Sequence, residues 1–578
     1  MASHDFIPQG SLMLEPVAVF LTPLLVAAIV ARYEQHAMII RASRFADAVL
    51  ASRWLPPACG LISAFLMAWV WSGSHFIPNI ADESAYVLQA EIFSKGTWSL
   101  AARPLPEFFE QMHVFVTPFV ASKYFPGQSF LLVPGILVGF RPLVPLLLIF
   151  GSGLLIVALS RRITNGWVAL LVWAVWTTAR ANLRFLPTYF SETTTVFLWL
   201  LGWWALYDWY LRPRRRTLIL LSLCIAWALI TRPLTGLVFA VPAITVTVWS
   251  ARRRGLLLQI RYALLVGGAV ICIVPLWSKF TTGHWSQTPQ SLYTRTYMPW
   301  DAIGFGLDST PPLRAMPANQ RSEIERFMAL HQSHTVGSLP HDAIVRLVGL
   351  HSDVFTTWRA GLAGYFLLGL LSLSPIFAIG GITALLLFVA YLSYAHPGFW
   401  TIYYLEALPV VAMITVLGFV LAMTWMGRNM ERGGESSESA SARHGEREGA
   451  GSLIGIVLAI ALLVGSLPVV RSERAIRSRS AALRLGLWDV MARLPTPCNL
   501  LIVRDERKAP RTMVTNDGDP AHARTWLVND LGSENVRLQE LVPDRAAYLI
   551  DVNARTLIAL PPVQDDPARP HPPRLTCP

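Results

Sequence analysis

Long apolar runs broken by short polar stretches dominate the chain. Gly361 to Ala395 contains no Asp, Glu, Lys or Arg, and Leu143 to Ser160 is a second uncharged run. Such runs match the roughly 17–25 residues a helix needs to cross a bilayer. Read with its Pro and Gly breakers, the pattern predicts twelve spans, near 14–31, 55–73, 143–160, 164–180, 190–211, 217–231, 233–250, 259–278, 358–374, 376–395, 407–427 and 452–470. Three long segments interrupt it: Ser74 to Pro142, Lys279 to about Thr357, and Arg471 to Pro578. In the first, NIADESAYVLQAEIFSKG (79–96) predicts a short amphipathic helix begun or capped by Asp82, and FLLVPGILVGF (130–140) a helix too short to span, lying at the membrane surface. In the last, Leu500 to Val503 and Ala547 to Val552 read as strands of a small α/β domain.

Composition supports this reading. Hydrophobic residues make up 53% of the 578 positions and charged residues 15%, against about 25% charged in ordinary soluble domains. That excludes a string of water-facing domains. The net charge of +12 does not point to nucleic acid, because most arginines sit in clusters beside apolar runs: Arg161-Arg162, Arg212 with Arg214 to Arg216, and Arg252 to Arg254. These clusters mark cytoplasmic loops. With Arg32, Arg41, Arg44 and Arg53 also inside, parity over the spans puts Arg428 and Arg432 inside and the three long segments outside. The first span lacks a basic leader and a clear cleavage site, so it reads as a span with its N-terminus outside. ERGGESSESASARHGEREGA (431–450) reads as a disordered cytoplasmic linker.

Candidate chemistry lies in the outer residues. Asp82 and Glu83 stand just past the second span, where a carboxylate can act as acid or base at the membrane surface. All four lysines, Lys95, Lys123, Lys279 and Lys508, fall outside, and Lys123 can offer a point charge to an anionic lipid head. Arg180, Arg184 and Arg232 run against the positive-inside bias near Glu192; they are either snorkelling helix ends or an anion site. The outer histidines show no HExxH pattern, which leaves a divalent metal open. Cys59, Cys224 and Cys272 read as apolar packing residues, whereas Cys498 and Cys577, both on the oxidising side, can form a disulfide closing the C-terminal domain.

Several short patterns follow one another along the chain. They are Asp82-Glu83-x-x-Tyr86, Lys123-Tyr124-Phe125-Pro126-Gly127, Thr231-Arg232-Pro233, and Tyr403-Tyr404-Leu405-Glu406-Ala407-Leu408-Pro409 after His396-Pro397. In order and spacing they resemble the bacterial GT-C glycosyltransferases of the protein O-mannosyltransferase and aminoarabinose-transferase superfamily, over roughly residues 55–427. The resemblance implies sugar transfer from a polyprenyl-phosphate donor at the periplasmic face of the inner membrane, onto a glycan, lipid or protein acceptor, with no cofactor required. It implies Asp82 as catalytic base supported by Glu83, and Lys123 and Arg232, joined by Arg180 and Arg184, near the donor phosphate. Tyr86, Tyr124, Glu192, His396, Tyr403 and Glu406 are the implied substrate contacts. Lys-Tyr-Phe-Pro replaces the Lys-Pro-Pro of the aminoarabinose-transferase branch, which leaves the sugar undetermined.

The expected molecule is therefore an all-α polytopic membrane protein of GT-C type, with outer loops and a small C-terminal α/β extracytoplasmic domain. Its units are an N-terminal span and cytoplasmic loop (1–54), a catalytic membrane core (55–427), the linker (428–451), a last span (452–470) and the periplasmic domain (471–578). The chief rival, a transporter or flippase for an anionic lipid, calls for ionisable residues at mid-membrane and inverted repeats. Here the ionisable residues gather at outer ends. A sensor or assembly module on a membrane anchor would not need so many spans.

Overall fold

A computed structural model describes residues 14–33, 36–306, 308–355, 359–432, 440–495, 498–505, 514–515 and 523–562. In hydrocarbon every backbone polar group must be satisfied within the segment, so apolar runs form helices. Six described helices are long and apolar enough to cross a membrane: Leu55–Ser74, Leu143–Ile163, Pro233–Arg253, Leu257–Thr282, Thr401–Met426 and Gly451–Arg493. Leu362–Leu370 and Pro375–Tyr391 pass the same test only as a pair, bent by 115°. The chain is a multi-pass membrane protein.

Among the described residues six helices, or seven with the bent pair, have the length and apolarity of a span, so the expected count of twelve is not confirmed. Each expected span coincides with helix, but several helices are too short. Gly166–Thr177 has 12 residues, about 18 Å of helix against a hydrocarbon core of about 30 Å. Its residues from Val168 to Thr177 are all buried, so its apolar character comes from packing inside the protein and not from contact with lipid. Arg215–Leu229 has 15 residues and Leu362–Leu370 only nine.

The basic loops gather at one end. Arg161 donates to the Ser52 carbonyl at 2.9 Å, Arg162 pairs with Asp208 at 3.3 Å, and Arg254 donates to the Tyr210 carbonyl at 2.6 Å. Between the ends, Leu55–Trp71 and Gly166–Thr177 are joined by a buried knot: Trp173 Nε1 donates to Ser63 Oγ at 2.9 Å, and Ser63 Oγ lies 3.0 Å from Thr177 Oγ1. Leu362–Leu370 packs so closely on Leu408–Arg432 that a Cβ on Gly418 would fall on the Tyr365 carbonyl.

The other end carries the long outer segments. The expected surface helix is Pro126–Leu137. A small antiparallel sheet, with Phe119–Ser122 between Leu100–Ala101 and Val114–Phe115, stands in the first segment. Phe115 there packs with Tyr293, Tyr297 and Trp300 of the second segment. Helix Ala440–Arg493 runs 54 residues, roughly 80 Å, from the membrane to the C-terminal unit. Its first residues, 440–450, fall in the stretch expected to be a disordered linker; their Ala, Glu and Arg favour helix. Residues 433–439 lie outside the described set. The C-terminal sheet has the order Thr525–Asn529, Asn499–Arg504, Ala546–Asp551, Thr556–Ala559, the first three parallel and the last antiparallel. One side of it packs on Phe108, Phe109 and Val116 of the first outer segment, and the other on Leu487 of the long helix.

Candidate active site

Helix beginnings converge at the outer end. Ala81–Ser94 starts after an extended Ile80, which takes the capping position and leaves Asp82 and Glu83 in the first turn. Carboxylates are favoured there by the unpaired N–H groups and the positive end of the helix dipole. The two side chains then diverge. Asp82 stays partly open, its side chain 36% exposed, accepting a hydrogen bond from Tyr124 Oη at 2.5 Å with His113 Nε2 at 3.6 Å. Glu83 points inward, is buried, and accepts from the Tyr189 amide at 3.4 Å. Burial pushes its carboxyl up to about 7, against the opposing pull of Arg477 and Arg484.

Pro126 begins the next helix, its ring presetting the first helical turn. The Gly127 amide donates to the Ile230 carbonyl at 3.0 Å, Trp227 Nε1 donates to the Gly127 carbonyl at 3.2 Å, and a Cβ on Gly127 would strike the Thr231 hydroxyl. Only glycine lets the Pro126-Gly127 turn rest on the Thr231-Arg232 turn. Arg232 in turn is the extended residue before helix Pro233–Arg253, again begun by proline. Its guanidinium pairs with Glu192 and donates to Tyr391 Oη at 2.7 Å and Thr235 Oγ1 at 3.2 Å. Glu192 is buried and Arg232 largely so, with side chains 5% and 11% exposed.

Tyrosines connect these turns. Tyr86 stacks on Tyr124 with centroids 4.5 Å apart and donates to Ser191 Oγ at 3.1 Å; Ser191 donates to Glu192 at 3.2 Å. Tyr403 lies 5.5 Å from the Arg232 guanidinium and, like Tyr86, within electrostatic reach of Asp82, Glu192 and Arg232. Glu406 accepts from Thr195 Oγ1, while its Oε2 meets no hydrogen-bond partner among the described residues. His396 contacts Tyr404 Oη at 3.0 Å through Nε2, and its ring lies tilted against Tyr403 with centroids 4.7 Å apart. Burial and the neighbouring Arg346 push that imidazole down to about 3, so it is neutral at pH 7.

Lys123 is buried and turns to a residue sequence reasoning missed, Asp301, at 3.1 Å. Tyr394 donates to the other Asp301 oxygen at 3.0 Å, with His331 Nε2 at 3.7 Å. Burial raises the Asp301 carboxyl, but Lys123 and His331 more than offset it and hold it below the usual range. His113 was missed too; burial and Lys123 push it down to about 4, leaving a neutral imidazole beside Asp82. The available signal was the demand of a buried lysine for a counter-charge, which the acids of the second outer segment supply. Tyr391 and Tyr394 precede the His396-Pro397 pattern and belonged to no motif.

Neither a family model nor a curated protein matches this chain in sequence. Its structure does have counterparts. The crystal structure of ArnT from Cupriavidus metallidurans bound to undecaprenyl phosphate is 14% identical and covers 87% of this chain and 96% of that one, with a TM-score of 0.50. The apo state of the same protein, also 14% identical, covers 85% and 92% with a TM-score of 0.47. The chain has a GT-C glycosyltransferase fold.

Within this GT-C fold, two of the arginines expected near the phosphate stand apart from Arg232. On helix Arg180–Phe185, Arg180 pairs with Glu473 at 2.8 Å, and both Arg180 and Arg184 lie about 4 Å from Asp353, at 4.0 and 3.9 Å. They are 35% and 37% exposed. Among the described residues no three His, Cys, Asp or Glu side chains converge as metal ligands; His113, His331 and His334 each meet one carboxylate. Cys498 is buried at the start of the C-terminal sheet and is disulfide-bonded. Its expected partner, Cys577, lies outside the described residues.

Proposed function

We propose that this protein is an integral-membrane glycosyltransferase that moves a sugar from a polyprenyl-phosphate donor to an acceptor hydroxyl at the periplasmic face of the bacterial inner membrane. The observation that carries the reading is that four sequence patterns far apart in the chain come together, with Asp82 partly exposed among them and the cations Arg232 and Lys123 close by. The fold is shared with an ArnT structure that holds undecaprenyl phosphate.

In the reaction, the acceptor oxygen attacks the anomeric carbon as the bond from that carbon to the phosphate oxygen breaks. The acceptor proton passes to Asp82 and polyprenyl phosphate departs. A phosphate is a good leaving group, so the demand on the protein is positive charge at the departing oxygen and a base at the attacking one. Arg232 and Lys123 supply the charge, and the helix beginnings at Pro126 and Pro233 add partial positive charge. Both cations carry a carboxylate in the free protein, so donor phosphate competes with Glu192 and Asp301 for them. Asp82 is an aspartate held by Tyr124, so orientation of the acceptor carries much of the rate. Tyr86, Tyr403, His396 and Glu406 line the substrate.

The test is transfer of radiolabel from a synthetic polyprenyl-phosphate sugar to membrane acceptors by the purified protein. Label in an acceptor with matching release of polyprenyl phosphate supports the reading. Release to water alone, or no release with a panel of sugars, contradicts it.

A further inference from the structure

The long helix that joins the last span to the C-terminal unit presents one buried stripe outside the membrane. Glu473, Arg477, Ala481, Arg484 and Leu487 recur at three- and four-residue steps and are all buried. This stripe lies on the turn that leads into Asp82. Arg484 Nη1 donates to the Pro78 carbonyl and to Ser84 Oγ at 3.2 Å, bracketing Asp82 and Glu83 from both sides. Arg477 donates to the Arg184 carbonyl at 2.5 Å and places its charge beside buried Glu83. One turn earlier, a Cβ on Gly73 would strike the Arg474 carbonyl, so helix and turn meet at backbone distance. The C-terminal sheet holds the same site from another direction: Asn529 donates to the Phe108 carbonyl at 3.1 Å and the Glu110 carbonyl at 2.8 Å, just before His113.

We propose that Arg477 and Arg484 are positioning residues for Asp82, with Glu83 as their buried counter-ion and not a second base, so that the C-terminal helix is a working part of the active site. The inference rests on the function proposed above. Glu83 is buried, whereas the Asp82 side chain is 36% exposed. A rigid first turn keeps Asp82 aimed at the acceptor, and misplacement of a reacting group by about 1 Å can cost roughly a hundredfold in rate. Burial holds the Glu83 carboxyl near 7 even though Arg477 and Arg484 from the long helix and the amides of Tyr189 and Asn79 draw it down, with the Tyr189 phenol also nearby and Asp82 next in sequence. The ionised form is the one that attracts the Arg477 charge. Turnover should therefore fall as pH drops through about 7.

The experiment uses the full chain in lipid nanodiscs with a labelled polyprenyl-phosphate sugar. Arg484→Gln is expected to lower kcat roughly ten- to a hundredfold with the donor KM nearly unchanged. Arg477→Gln is expected to move the acid limb of the kcat profile to higher pH, because Glu83 loses the charge that draws it down. In Glu83→Gln that limb disappears, and adding Arg477→Gln then moves nothing further. An unchanged kcat in Arg484→Gln, an acid limb unmoved by Arg477→Gln, or a limb that survives in Glu83→Gln overturns the proposal. A second readout does not depend on sugar transfer: amide hydrogen exchange across residues 72–90 should speed up in both arginine variants. Unchanged exchange overturns the latch whether or not the protein transfers sugar; a wild-type protein that transfers nothing overturns the proposed function and leaves the latch to be judged by exchange.

Discussion

Two arginine–carboxylate clusters occupy the outer end of this molecule, built from the same residue types. In one, Arg232 and Glu192 are buried among tyrosines beside Asp82, with Lys123 and Asp301 on the adjoining wall. In the other, Arg180 and Arg184 reach Asp353 and Glu473 with about a third of each arginine side chain still in contact with the surroundings. Desolvation separates them. A pair buried on both sides is coupled strongly to any charged ligand that displaces one partner, whereas in the second cluster the carboxylates are buried but the arginines are open to the surroundings and screened from that side. Under the proposed function the first cluster is the one that holds and releases the donor phosphate, while the second ties the helix Arg180–Phe185 to its neighbours.

The comparison can be broken by removing one charge at a time. Arg232→Ala should have the largest effect, because it leaves Glu192 buried without its cation. Breaking such a pair costs about 3–5 kcal/mol, and thermal unfolding in nanodiscs should show it together with a loss of donor turnover of about 10²–10³. Lys123→Ala should cost less, about 1.5–3 kcal/mol for a charge-assisted hydrogen bond, since Asp301 keeps Tyr394 and His331. It should raise the donor KM more than it lowers kcat. Equal effects of Arg232→Ala and Arg184→Ala would erase the distinction.

A pH series sharpens it further. His113 is buried neutral, its pKa lowered from 6.5 to about 4. A base whose folded pKa is depressed contributes its full stability above the unfolded value, and loses it as pH falls from about 6.5 to about 4. The melting temperature of the wild type should fall across that window more steeply than that of His113→Gln. Parallel curves would contradict a buried neutral imidazole. The smallest effect is expected from Arg184→Ala: within about 1 kcal/mol in stability and within twofold in turnover.

The sequence made some of this legible and not the rest, for physical reasons. Hydropathy locates apolar helices but cannot tell lipid contact from protein contact. Gly166–Thr177, buried from Val168 onward, therefore reads as a span. The strands Asn499–Arg504 and Ala546–Asp551 carry apolar runs that announce them; Thr525–Asn529 and Thr556–Ala559 are short segments in polar surroundings and do not. In the site, Asp82, Lys123 and Arg232 were legible by residue type and side. Their partners were not, because Lys123 meets Asp301 across 178 positions and Thr195 meets Glu406 across 211. Arg180 and Arg184 looked equivalent to Arg232 until burial and partners separated them. The grip of Arg484 on Pro78 spans 406 positions and left no local trace.

The most direct test of the central claim is single-turnover transfer by Asp82→Asn with a labelled polyprenyl-phosphate sugar and excess membrane acceptor. The substitution keeps the shape and an oxygen for Tyr124 but removes the base. Transfer should fall by about 10²–10⁴ while donor binding, read by quenching of a fluorescent polyprenyl phosphate, stays within a few fold of wild type. Wild-type transfer by Asp82→Asn would contradict the assignment of Asp82 as the catalytic base.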